Sequence, residues 1–99
     1  MESDEHNFGS PLDAEERAIV AALSPDQVKA IDAELLDDVP MRWGKVAMVL
    51  AKQLRSKPGI PDNVPLEYYW QRLRHFVDTG DIEVQGDLRR ARFSEIRRH

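Results

Sequence analysis

The residues with the most chemistry to offer fall on one segment in the C-terminal half of the chain. Four polar and aromatic side chains recur there at the spacing of one helix face: Tyr68, Gln71, Arg72 and His75. Glutamine and arginine read base edges in the DNA major groove, and tyrosine or histidine reaches phosphates. The pattern predicts a nucleic-acid contact. The alternative is a solvated helix face, because Glu67 and Asp78 frame it with negative charge.

A cationic group follows a short distance along the chain. Three arginines lie within four positions: Arg89, Arg90 and Arg92. A guanidinium binds phosphate through two parallel hydrogen bonds, so the group is typical of a phosphate-binding surface. Two alternatives stay open. The arginines could pair with acidic residues of the N-terminal half or of a second copy, or they could guard an edge strand against aggregation.

Aromatic residues supply a third candidate surface. Trp70 adjoins Tyr68 and Tyr69 and falls beside the apolar stripe of its helix, where an exposed tryptophan would anchor a protein partner. Packing of Trp70 against an N-terminal helix is the equal alternative. Trp43 is predicted to lie in the core, because it begins an apolar stripe that continues through Val46, Ala47, Leu50 and Leu54.

Catalytic chemistry has little support in the sequence. There is no cysteine, and two of the three histidines, His6 and His99, lie near the chain ends. No histidine pair has metal-ligand spacing, and no nucleophile–histidine–acid arrangement is legible. The sequence therefore predicts a binding module that is not an enzyme, with no catalytic residue, no metal ligand and no cofactor or small-molecule substrate.

The elements that position these residues follow from periodicity and capping signals. The 99 residues are enough for one domain. Apolar spacing and capping residues predict four helices, at about 11–22, 25–37, 41–55 and 65–79. Alternation then predicts a β-hairpin at about 82–93, with a turn at Gly86-Asp87 and a second strand from Leu88 to Phe93. Residues 1–10 are predicted to form a disordered acidic tail.

This order of elements predicts a mainly α fold with a C-terminal β-hairpin. It is the layout of a winged-helix-like single domain over residues 11–99, with an extra N-terminal helix. Five short motifs carry a family resemblance: Trp43, Arg72-Leu73, Gly80 to Glu83, Gly86-Asp87 and Glu95-Ile96-Arg97. In these the chain resembles a family of uncharacterised bacterial winged-helix-like domains, often found at the C-terminal end of longer proteins. The motifs are structural, so the resemblance implies the fold and adds little about function.

Charge is divided unevenly along the chain. Residues 1–40 carry 11 acidic and 2 basic side chains, and residues 41–99 carry 7 acidic and 12 basic ones. Such asymmetry favours an acidic or polyanionic partner for the C-terminal half. The leading functional hypothesis is a protein-interaction or assembly module acting through Trp70 and Tyr68. The alternative is nucleic-acid binding through helix 65–79 and the three arginines. The acidic N-terminus and the lack of a long apolar run predict a cytoplasmic protein without a membrane span.

Overall fold

The computed structural model describes residues 7–98, which form four α-helices and a small antiparallel sheet of three strands. The helices are α1 (Ala14–Ala21), α2 (Pro25–Asp38), α3 (Val46–Lys52) and α4 (Leu66–Asp78). The strands are β1 (Gly44–Lys45), β2 (Ile82–Gln85) and β3 (Glu95–Arg98), and one turn of 3-10 helix (Ala91–Phe93) precedes β3. No helix within residues 7–98 is long and apolar enough to cross a membrane.

Reciprocal capping pairs set the starts of the first two helices. The Ser24 hydroxyl accepts a hydrogen bond from the Gln27 amide at 3.1 Å, and the Gln27 side chain accepts one from the Ser24 amide at 2.8 Å. Asp13 and Glu16 form the same box on α1. A capping box satisfies amide groups that the helix leaves free. Because Asp13 rather than Ser10 is the N-cap, α1 begins later than the predicted residue 11.

The third helix is shorter than the predicted 41–55. Its first residues form β1 instead, in which Gly44 lies opposite Ile96 of β3. A strand of two residues is too short to show apolar alternation, so the sequence predicted these residues as part of a helix. Trp43 consequently does not lie on α3. It is half-buried, with the Arg97 guanidinium 4.6 Å from its ring centroid.

The second strand of the predicted 82–93 hairpin is also misplaced. β2 pairs with β3, so that Val84 faces Ile96, and the segment from Leu88 to Phe93 lies outside the sheet. The buried side chains of this segment recur every third residue: Leu88, Ala91 and Ser94. A three-residue repeat suits a 3-10 turn and not the alternation of a strand. The chain therefore re-enters the sheet only at Glu95.

The sheet has the order β1-β3-β2, so the last strand lies at its centre. The core fills the space between this sheet and helices α2, α3 and α4. Its fully buried apolar members are Ile31, Leu35, Val39, Val46, Val49, Leu50, Leu73, Ile82 and Ile96. Helix α1 lies at the edge of this core: Val20 is partly buried and packs against it, but no residue of the helix is fully buried.

Part of the predicted disordered tail is docked on the domain. Residues 1–6 lie outside the described residues. Phe8 is buried, and its amide donates a hydrogen bond to the Arg89 carbonyl at 2.8 Å. The Gly9 amide donates to a Glu67 carboxylate oxygen at 3.1 Å. Burial of one aromatic ring and these two bonds offset the entropy lost on ordering residues 7–9.

Candidate functional site

The four candidate residues on α4 do not share one exposed face. Gln71 and His75 are exposed, whereas Tyr68 is buried and Arg72 is largely buried against α2. Burial raises the pKa of Tyr68, with the nearby Arg72 charge acting in the opposite direction. Two of the four predicted contact residues therefore belong to the packing between helices.

Arg72 is held by a carboxylate on α2. Its Nε and its terminal NH2 group donate to the two oxygens of Asp32, each at 2.9 Å. Its guanidinium also lies 5.6 Å from the Phe76 ring centroid. The hydrogen bonds to Asp32 raise the pKa of Arg72 further above its already high value. The expectation that Arg72 contacts nucleic acid or a partner is corrected by this geometry, since its donors are engaged within the fold.

Trp70 is a core residue and not an exposed anchor. It is 5% exposed, and its indole N–H donates to the Leu88 carbonyl at 3.0 Å. A Cβ atom at Gly9 would lie 3.4 Å from Trp70 Cη2, so the N-terminal segment runs close against the ring. Trp70 thus joins α4 to the segment after β2 and to residues 7–9. Both Trp70 and Tyr68 are buried, so neither side chain forms the exposed aromatic surface on which the predicted interaction was based.

The three arginines after β2 are exposed at the surface, although two have contacts within the chain. Arg89 Nε donates to the Phe8 carbonyl at 3.1 Å, and the Arg90 guanidinium lies 5.0 Å from the Phe93 ring centroid. Among residues 7–98, no ion pair joins Arg89 or Arg92 to the acidic residues of α1. Because the segment lies outside the sheet, these arginines do not guard an edge strand.

A groove beside α3 has an almost wholly apolar lining. It has a volume of about 270 Å³ and is bounded on one side by α3 and the turn after it. That wall consists of Ala47, Leu50, Ala51 and Leu54. The rest of the lining consists of Phe8, Leu66, Ala91 and Arg92. Only Arg92 brings a polar side chain, so the groove can hold apolar groups and offers one cation at its edge.

The end of α3 accounts for the exposed apolar surface beside the groove. The apolar stripe predicted for helix 41–55 ends at Leu54. The helix ends at Lys52, and Leu54 lies in the following turn with 71% of its surface exposed. Met48 points outward from α3 and is 63% exposed. The sequence shows an apolar residue at position 54, but only the end of α3 at Lys52 shows that Leu54 is not buried.

Six of the eight residues that line the groove belong to two stretches of chain without an acidic residue. Residues 39–61 and 88–94 have no Asp or Glu. Lys45, Lys52 and Arg55 are exposed in the first stretch, but none of them lines the groove. Arg55 donates to the Lys52 carbonyl at 3.2 Å and lies 3.9 Å from Asp38. Arg92 is the charged residue of the lining, and Glu67, which follows the lining residue Leu66, accepts a hydrogen bond from the Gly9 amide.

A second recess, of about 400 Å³, lies between α1 and the loop before α4. Ala18, Ile19 and Leu23 line it together with Glu15 and Gln27. One wall is α1, which buries no residue of its own. Since a recess needs a firmly packed wall to keep its shape, this one is the weaker candidate.

Residues 7–98 contain no group of three or more histidine and carboxylate side chains arranged to hold a metal ion. Comparison of the chain with protein-family models, with curated proteins and with solved structures finds no match. The candidate site is accordingly defined by geometry and charge alone.

Proposed function

We propose that the chain is a winged-helix-like module that binds another protein through the groove beside α3. The order of elements supports this fold. A helix, a short strand, two further helices and two final strands follow one another, with the last strand at the centre of the sheet. Helix α1 is then an addition before the winged-helix layout. The connection between α3 and α4 is longer than the turn of a standard helix-turn-helix.

The observation that carries the function is the exposure of Leu54 at an apolar groove. Complete burial of the Leu54 side chain would contribute about 1.5–3 kcal/mol of free energy, and the fold itself leaves this side chain exposed. Small-molecule pockets run from about 300 to 1,000 Å³, so a groove of about 270 Å³ is better matched to a few partner side chains. The groove lining contains no nucleophile, acid or base, which supports binding and not catalysis.

Site-specific photocrosslinking in the native host tests the proposal. A photoreactive amino acid replaces Leu54, and in a control chain it replaces Met41, which is also exposed (62%) but does not line the groove. We expect one discrete protein adduct from position 54 and none from position 41. Equal adducts from both positions, or none from position 54, would contradict the proposed groove function.

Nucleic-acid binding is the second candidate, and the exposed Arg89 and Arg92 favour it. Gln71 and His75 would add exposed polar groups from α4. Anisotropy with random duplex DNA at roughly 50 and 200 mM salt tests it, because each phosphate contact adds about 0.9 to the log–log slope. Binding that weakens steeply with salt and is lost when Arg89, Arg90 and Arg92 are all changed to Glu would support this function.

A further inference from the structure

We infer that the partner seated in the groove is an acidic amphipathic helix. This inference rests on the proposed function and specifies the chemistry of its partner. The apolar side chains of that helix would enter the groove, and its carboxylates would face Arg92, the cation of the groove lining.

The shape of the groove suits a helix. Ala47, Ala51 and Leu54 follow one another at intervals of four and three residues, so the apolar wall extends over about two helical turns. An amphipathic helix presents its anchors at i, i+3, i+4 and i+7 over a similar length. The small side chains of Ala47 and Ala51 allow a second helix to approach α3 closely.

The charges near the groove select the sign of the partner. Every formal charge in residues 39–61 and 88–94 is positive. Arg92 is exposed and lines the groove, and Arg55, also exposed, follows the lining residue Leu54 in the chain. A helix with glutamate or aspartate beside its apolar stripe is attracted to these arginines, whereas a basic helix is repelled by them.

The groove floor favours a peptide over nucleic acid. Base recognition requires hydrogen-bonding or stacking groups, and the lining offers only Arg92 for hydrogen bonding and the buried Phe8 ring for stacking. Arg92 alone could contact a phosphate there. DNA or a second copy of the chain is therefore an alternative occupant that the experiment must separate from an acidic helix.

Three synthetic helices of about 16 residues test the inference against the full chain. All carry leucine at i, i+3, i+4 and i+7, and the flanking positions are Glu, Lys or Gln. Titration of isotope-labelled protein at roughly 50 and 200 mM salt gives affinities and the residues whose amide signals move. We expect the Glu peptide to bind at least about tenfold more tightly than the Lys peptide at the lower salt. The moving signals should include Ala47, Ala51, Leu54 and Ala91.

Two pairs of variants locate the binding. Leu54→Glu should weaken the Glu peptide by about tenfold or more, and the matched Met41→Glu should not. Arg92→Glu should reduce the ratio of the affinity for the Glu peptide to the affinity for the Lys peptide. Arg74→Glu on α4 should leave this ratio unchanged. Leu54, Met41 and both arginines are exposed, so these variants should retain the fold.

Each remaining result overturns the inference in a different way. Equal affinity for the three peptides would remove the role of charge. No peptide binding, together with a specific adduct from position 54, would leave the proposed function in place with a partner of other chemistry. Duplex DNA that moves the groove signals when no peptide does would assign the groove to nucleic acid. A dimer that Leu54→Glu dissociates would make a second copy the occupant.

Discussion

Removal of the Arg72 guanidinium should destabilise the fold by far more than removal of an exposed arginine. The two hydrogen bonds to Asp32, each 2.9 Å, connect α4 to α2. Breaking a fully buried ion pair costs about 3–5 kcal/mol, and an exposed pair contributes about 0.2–1 kcal/mol. The side chains of Arg72 and Asp32 are 26% and 21% exposed. The expected cost of Arg72→Ala therefore lies between these limits, at about 2 kcal/mol.

A double-mutant cycle separates the ion pair from other losses. Arg72→Ala also removes the contact with Phe76, worth about 0.5–1 kcal/mol, so the single variant overstates the pair. Urea unfolding followed by tryptophan fluorescence gives the free energy of unfolding for Arg72→Ala, Asp32→Ala and the double variant. We expect a coupling free energy of about 1–1.5 kcal/mol. The control is Arg74→Ala, whose exposed partner Asp78 lies at 3.4 Å, with a loss of about 0.5 kcal/mol or less.

The reasoning would be refuted by a coupling below about 0.3 kcal/mol, within the range of an exposed pair. It would equally be refuted if Arg72→Ala and Arg74→Ala destabilised the chain by the same amount. In either case Arg72 would not be committed to the packing of α4 on α2. It would then return to the set of side chains available for a partner.

Three further outcomes are expected. Burial raises the pKa of the two tyrosines of the chain, Tyr68 and Tyr69. The stability that their neutral phenol groups contribute to the fold is therefore present below about pH 10 and is lost as pH rises through the folded-state pKa. Absorbance at the tyrosinate band should titrate at higher pH in the native chain than in urea, and coincident curves would contradict this. Trp70→Phe should lower the free energy of unfolding by about 1–3 kcal/mol in urea, because the Leu88 carbonyl loses its donor; an unchanged value would show that water replaces the indole. Gly86→Ala should lower the melting temperature, because Gly86 has φ 89° and a Cβ there would lie 3.1 Å from the Phe93 carbonyl oxygen; a melting temperature equal to that of the native chain would contradict that strain.

Local signals were sufficient to predict the two longest helices. For α2, the capping box at Ser24 marks the start, and Pro40 follows the end closely. For α4, the stripe through Leu73 and Phe76 runs the length of the helix. Residues within a few positions of one another carry this information, so no knowledge of tertiary contacts is needed.

Tertiary contacts decide the elements that the sequence did not predict. β1 exists because Gly44 pairs with Ile96, far away in the chain, and no local period marks it. The segment after β2 has the alternation typical of a strand, but in the fold the Trp70 indole N–H donates to the Leu88 carbonyl and Ala91 is buried. Leu54 looked like a core residue because helical spacing was extended beyond the point at which α3 ends.

The candidate site moved for the same reason. Residue types and spacing predicted a contact surface on α4. Because Arg72 binds Asp32, its guanidinium does not contribute to that surface. Of the predicted contact residues, only Arg92 lies at the groove. The groove needs Phe8, Leu66 and α3 to meet, which are distant in sequence, and such a juxtaposition has no local signature.

The most direct test compares crosslinking from Leu54 with crosslinking from His75, which lies on the exposed side of α4. Both positions are exposed, so a photoreactive residue should be tolerated at each. The account predicts a discrete protein adduct at position 54 and no comparable adduct at position 75. An adduct only at position 75, with protein or with nucleic acid, would contradict the groove as the binding site.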